Sequence, residues 1–312
     1  DTQVLLIEAG GSDRSPIIRV PLGWGKILFE RLFDWGYFTE EEEEFNNRKV
    51  ECARGKVLGG SSSINAMVYI RGHKADYDHW GQVAGTDLWG WDRALKLFRR
   101  LEDNKRFGAD SYHGEGGELT VSELKSVNPL SRDFVRAAPH VELPINTDFN
   151  GETQEGLGLY QVTQKNGRRW SSAQAFLRVA ENRPNLDVLT DARVTRVVMD
   201  GKRAVGVTLN QGGEYRQLRL NNGGEVILSG GAVNSPQLLM LSGVGPAEHL
   251  KEKGINVVHA LEGVGKNLQD HLETYVQQEC KTSDTLYSYI NKLNMLRVGI
   301  QWFLTKSGPC ST

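Results

Sequence analysis

Apolar residues fall in short runs whose spacing predicts alternating strands and helices. Val4-Leu5-Leu6-Ile7 reads as a buried parallel strand that ends at Glu8. Trp91, Ala94, Leu95, Leu97, Phe98 and Leu101 recur near helical spacing and predict a helix over 91–101. His113-Gly114-Glu115-Gly116-Gly117 marks a loop before a strand, Glu118 to Val121. Residues 185–189 and 192–198 are strand-like, and Asp200-Gly201 turns into a further strand over 204–209, which predicts a β-meander. Glu225-Val226-Ile227-Leu228 reads as another strand. Beyond it Ser235 reads as an N-cap, with Pro236 in the first helical position and Gly243 just past the helix end. Residues 11–52, with Pro16, Pro21 and Asn46-Asn47, read as a long irregular excursion, and 61–69 as the start of a helix. The expected fold class is α/β with an antiparallel insertion.

Composition narrows the function classes. A length of 312 residues suits one large domain or two intertwined ones. The net charge of −2 gives no basis for nucleic-acid binding, and the Glu40 to Glu44 run reads as a solvated face. Cys52, Cys280 and Cys310 are far apart and form no metal-ligand spacing, so free thiols are expected and no metal site. No apolar run reaches the roughly 20 residues that span a bilayer.

The densest chemistry lies in Ala53-Arg54-Gly55-Lys56-Val57-Leu58-Gly59-Gly60-Ser61-Ser62-Ser63-Ile64-Asn65-Ala66-Met67-Val68. Gly59 and Gly60 lack the side chains that would block close approach of a backbone to a ligand. Ser61 to Ser63 offer hydroxyls and N–H groups, placed here at an expected helix start where pyrophosphate binds. Arg54 adds a permanent positive charge. A bare Gly-Gly-Ser-Ser-Ser also suits an ordinary polar turn. A second stretch, Gly230-Gly231-Ala232-Val233-Asn234-Ser235-Pro236-Gln237-Leu238-Leu239-Met240-Leu241-Ser242-Gly243-Val244-Gly245, points the same way. A carboxylate at a strand end, as at Glu8, is the group that bonds the adenosine ribose in dinucleotide folds.

These two stretches resemble the signature sequences of the glucose–methanol–choline family of FAD-dependent alcohol oxidoreductases, and the resemblance covers nearly all of residues 1–272. It implies an incomplete Rossmann-like FAD-binding domain with an antiparallel substrate-side portion. The implied segments are 1–125 and 185–272 for FAD, 126–184 for the substrate side, and 273–312 for the start of a C-terminal substrate domain. It implies that Glu8 meets the ribose, and that Arg54, Gly55, Val57, Gly59, Gly60 and Ser61 line the pyrophosphate and flavin edge. Asn65, Ala66, Met67 and Val68 would pass beside the isoalloxazine ring. Val194 would offer its backbone to adenine, and Ser229, Gly230 and Ala232 would flank the adenosine side.

The run Gly263-Val264-Gly265-Lys266-Asn267-Leu268-Gln269-Asp270-His271-Leu272-Glu273 resembles the choline-oxidising branch. So do Asn150 to Gly158 and Gly167-Arg168-Arg169-Trp170-Ser171-Ser172-Ala173. In that branch a glutamate at the position of Glu273 faces the substrate's trimethylammonium group. A quaternary ammonium has no N–H to donate, so a negative charge and aromatic walls suit it. His271 is assigned a site-lining role, and the family's principal catalytic histidine is expected beyond Thr312. Other histidines, His113 among them, read as solvated or packing residues. Ile64 stands where some relatives attach FAD to a histidine, so FAD is expected to be held non-covalently.

The expected reaction is oxidation of a primary alcohol, choline foremost, with electrons passing to a respiratory acceptor. Peripheral contact with a mitochondrial inner membrane or the bacterial cytoplasmic membrane follows from the same resemblance. Three other readings remain open: a different alcohol, a hydroxynitrile lyase or fatty-acid photodecarboxylase of the same fold, and an inactive fragment. The last arises because no GxGxxG turn precedes Glu8. Gly243-Val244-Gly245 and Gly263-Val264-Gly265 begin the pattern, but Glu248 and Leu268 occupy the third glycine position.

Overall fold

The computed structural model describes residues 2–271, 273–281, 284–289 and 291–312; Asp1 and Leu272, ends of two expected segments, lie outside them. The chain divides into two compact units, one of residues 1–11 and 184–278, the other of residues 12–183 and 279–312.

In the first unit the Val4–Ile7 strand pairs in parallel with Leu186–Leu189, register Val4 to Leu186 through Ile7 to Leu189. The strand forms as expected, but Val4 and Leu5 are each 46% exposed. It has one neighbouring strand among the described residues. Of the predicted meander, the 192–198 and 204–209 strands pair antiparallel and gain a further strand, whereas Leu186–Leu189 leaves it to pair in parallel with Val4–Ile7. Ala192–Asp200, Arg203–Gln211 and Glu214–Arg219 form an antiparallel sheet with the middle strand central. Gly212 and Gly213 (φ +62° and +91°) make the second turn, where a hairpin that follows strand twist needs left-handed residues.

Two sequence readings change in this unit. Residues 225–228 form no strand ladder, and Ile227 is largely exposed. The helix runs Gly231–Leu241, starting earlier than Ser235. Ser235 instead accepts the Gly230 N–H at 2.9 Å through its hydroxyl, and Pro236 lies inside the helix. The helix stops as expected before Gly243 (φ +85°). Just beyond it Ser242 is buried, its hydroxyl donating to the Leu238 carbonyl and accepting the Val197 N–H at 2.8 Å. This bond ties helix to sheet. Ser242→Ala leaves a buried sheet N–H unpaired and is expected to cost about 1–3 kcal/mol, read from a denaturant melt.

The second unit holds an apolar cluster of Ile18, Ile27, Val57 and Ile64. It shows that the 11–52 stretch is less irregular than expected, because Pro16–Arg19 and Gly23–Phe29 are helical and bury Ile18 and Ile27. Trp91–Leu101 is a helix as its spacing predicts, and leads into the strand Glu102–Asn104. That strand pairs in parallel with Leu119–Val121. A second cluster joins Val298, Trp302 and Cys310, and anchors the helix Lys292–Thr305.

Candidate cofactor-binding site

The 53–68 segment is a tight turn with one buried and one exposed edge. Gly59 and Gly60 take left-handed backbone (φ +88° and +55°). The space around three glycines differs. A Cβ on Gly55 would lie 2.4 Å from the Gly60 carbonyl and 2.7 Å from the Ser61 nitrogen. On Gly59 it would lie 2.5 Å from the Ser63 hydroxyl, and on Gly60 it would meet nothing within 4 Å. Gly55 and Gly59 are therefore demanded by the fold, whereas the side of Gly60 is open.

The helix expected over 61–69 does not form; only Gly60–Ser63 makes one 3₁₀ turn. The serine hydroxyls bond backward instead, Ser62 to the Gly59 carbonyl at 2.6 Å and Ser63 to the Leu58 carbonyl at 2.7 Å. Such local bonds compete with helix propagation. Asn65 then caps a turn, its Oδ1 accepting the Met67 N–H at 3.0 Å, and Met67 is left-handed (φ +64°). A non-glycine residue held at such a φ is a strained point of the kind that clusters at functional sites.

Ser61, Asn65, Ala66 and Val68 lie on the exposed edge, and Ser63, Ile64 and Met67 face inward. Val57 and Met67 are 0% and 1% exposed, so both are covered by the chain itself. Arg54 is half-buried; its N–H donates to Asp34 at 2.9 Å and its guanidinium to the Ala53 carbonyl. Ser61 accepts the Gly55 N–H at 3.1 Å.

The other predicted residues belong to the first unit. Glu8 is half-buried at its strand end, where its carboxylate accepts the Gly10 N–H at 2.8 Å. Val194 lies opposite Leu209 in the antiparallel sheet. Ser229, Gly230 and Ala232 are exposed around the start of the Gly231–Leu241 helix, where unpaired N–H groups favour negative charge. His271 and Glu273 are exposed as well, and Glu273 accepts the Tyr275 hydroxyl at 2.7 Å.

One constellation in the second unit escaped the sequence reading. His113, expected to be solvated or to pack, is fully buried and ion-paired on both ring nitrogens. Nδ1 lies 3.3 Å from Glu102 and Nε2 lies 2.9 Å from Asp148. Glu102 also accepts from Arg71 at 2.9 Å, from Asn104 at 3.1 Å and from the Gly114 N–H at 2.9 Å. Burial alone would push the imidazole down, but its bonds to Asp148 and Glu102 outweigh it and raise the pKa to about 9. Burial would likewise raise Glu102, yet His113 and Arg71 hold it below the ordinary carboxylate value. Phe107 stacks on the imidazole at 4.6 Å. This network braces the 102–121 region as a closed set of charges.

The fold and the two glycine-bearing stretches define a FAD-binding oxidoreductase fold. The family model of GMC oxidoreductases matches residues 4–273, and the chain belongs to that family. It is 54% identical over 271 residues to an alcohol dehydrogenase [acceptor] of Pseudomonas putida, covering 87% of this chain and 49% of that one. It is 45% identical over 309 residues to an oxygen-dependent choline dehydrogenase of Brucella ovis, covering 99% and 55%. Among solved structures it resembles a pyridoxine 4-oxidase from Mesorbium loti (TM-score 0.77, 35% identity, 83% and 50% covered). It also resembles a formate oxidase (TM-score 0.85, 27% identity, 99% and 55% covered). The chain thus spans about half the length of the curated relatives it matches.

FAD is the cofactor of this family, and the residues present fit it. In the second unit the open side of Gly60 and the exposed 61–68 edge leave a surface that a planar group can approach. In the first unit, taken by itself, the exposed start of the 231–241 helix suits an anion. Among the described residues no helix is long and apolar enough to cross a membrane, and no cluster of three or more His, Cys, Asp or Glu is placed to hold a metal.

Proposed function

We propose that this protein oxidises a primary alcohol with FAD, and that choline is the substrate. The observation that carries the reading is the split turn at 53–68. Gly55 and Gly59 are fixed by packing, while Gly60, Ser61, Asn65, Ala66 and Val68 line an edge where, among the described residues, nothing lies within 4 Å of a Cβ on Gly60. Arg54 and the turn N–H groups would hold the pyrophosphate and flavin edge. Glu8 would bond the ribose, the Val194 backbone would meet adenine, and Ser229, Gly230 and Ala232 would flank the adenosine. Ile64 is nearly buried and has no nucleophile, so attachment would be non-covalent.

Bound FAD would supply hydride acceptance; the chain's residues would bind and orient the alcohol and exclude water from it. Glu273 would pair with the substrate's ammonium, and His271 would line the pocket beside it. Segments 1–125 and 185–272 would serve the cofactor, 126–184 the substrate side, and 273–312 the opening of a substrate domain. A respiratory acceptor would take the electrons at a mitochondrial inner membrane or a bacterial cytoplasmic membrane.

A second reading, a different primary alcohol, is favoured by the higher identity to the Pseudomonas alcohol dehydrogenase. Glu273→Gln separates the two. For choline it should raise KM about tenfold or more with kcat little changed, because a uniformly used ion pair is lost. An unchanged KM for choline would turn the assignment toward an uncharged alcohol.

A further inference from the structure

The run Gly167-Arg168-Arg169-Trp170-Ser171-Ser172-Ala173 has a geometric task that the function above leaves unexplained. Arg169 lies on a short strand paired with Gln164–Lys165 and is only 2% exposed. All its partners are neutral oxygens. Its Nε donates to the Ile18 carbonyl at 2.9 Å, and its Nη1 donates to the Ser62 carbonyl at 3.1 Å and to Asn65 Oδ1 at 2.8 Å. Nη2 is buried without a hydrogen-bond partner among the described residues, and burial lowers the guanidinium pKa to about 10. Burying an uncompensated cation is costly, so a neutral clamp would be cheaper if packing were the only need. Three residues on, Ser172 grips the same turn: its N–H donates to the Ser62 hydroxyl at 2.9 Å and its hydroxyl to the Gly59 carbonyl at 3.1 Å.

The consequence falls on Asn65. Its Oδ1 accepts from two groups that can only donate, the Met67 N–H and the Arg169 guanidinium. The orientation of the carboxamide is thereby fixed, and its NH₂ is left with no acceptor among the described residues, on an exposed side chain. Resting on the FAD reading of this site, we propose that Arg169 is a positioning residue for FAD. It locks Asn65 and the left-handed Met67 turn so that the Asn65 NH₂ and the 61–68 edge are presented to the cofactor. Lysine cannot replace it, because a single ammonium does not reproduce a rigid fork shared among three acceptors.

The test is a double-mutant cycle on the purified protein, read by FAD titration. Arg169→Lys and Asn65→Ala should each weaken FAD binding about tenfold. Both should shift the visible band of bound FAD alike, and the double variant should lose no more than either single. Unchanged affinity in the singles, or additive losses in the double, overturns the proposal. If Arg169→Lys does not fold, Asn65→Ala, on an exposed side chain, decides alone: unchanged affinity overturns it. If the wild-type protein takes up no FAD, the functional reading fails separately. The clamp is then judged by amide exchange at Met67 in the unliganded protein, where faster exchange in Arg169→Lys supports it and unchanged exchange overturns it.

Discussion

Gly55→Ala should abolish FAD binding, and Gly60→Ala should weaken it about tenfold or more while leaving the fold nearly intact. The two glycines sit five residues apart in one turn, yet the space around them is opposite. A methyl on Gly55 would lie 2.4 Å from the backbone of Gly60, so the turn must open to admit it. Overpacking of this kind costs about 1–3 kcal/mol or more and displaces the whole edge. At Gly60 a methyl meets nothing, and the cost to the fold is the left-handed φ alone, about 1–2 kcal/mol. The loss of affinity there comes from a methyl standing on the surface that FAD is proposed to approach. Denaturant melts alongside FAD titration of the two variants check this: a Gly60→Ala protein that binds FAD normally would place the cofactor elsewhere.

The second large effect is on stability. Glu102→Gln removes the anion that Arg71 and His113 share, leaving buried cations short of a partner, and should cost about 3–5 kcal/mol. The same network gives a pH signature. The His113 pKa is raised from 6.5 to about 9, so its contribution is full below about pH 6.5 and is lost as pH rises through about 9. Glu102 and Asp148 are lowered, so theirs is present above their ordinary values and lost on acidification. Stability should therefore peak between about pH 5 and 7 and fall by up to about 3 kcal/mol toward alkaline pH. His113→Gln should flatten the alkaline side. A wild-type protein equally stable at both ends of that alkaline range would contradict the network.

Much of the framework was legible in the sequence, and the particular failures have physical causes. The Val4–Ile7 strand announces itself as a short, wholly apolar run, the 91–101 helix by its helical period, and the 192–211 hairpin by β-branched runs flanking a Gly turn. Local competition defeated the helix expected at 61–69, where serine hydroxyls and Asn65 bond the backbone first. A strand needs a neighbour, which 225–228 lacks among the described residues, so an apolar run alone misled there. The start of the 231–241 helix was misplaced because Ser235 and Pro236 look like a cap but sit one turn inside.

The candidate site was readable as far as types and spacing go: glycines, serines and Asn65 in one turn. What spacing could not reveal is the set of partners brought from afar. Arg169 reaches Ser62 and Asn65 across more than a hundred residues, and His113 joins Glu102 to Asp148. The one available signal was Glu102-Asp103-Asn104, three polar residues directly after an amphipathic helix, which a hydropathy reading assigns to the surface and the fold buries. Buried polar residues in a row have to be partnered, and the partners here are long-range.

The most direct test of the central claim is the visible absorption spectrum of the purified protein, recorded without oxygen before and after choline. The account predicts a flavin band that choline bleaches. A band that choline leaves intact while another primary alcohol bleaches it would move the substrate. A protein that carries no flavin and takes none up when FAD is supplied would contradict the account.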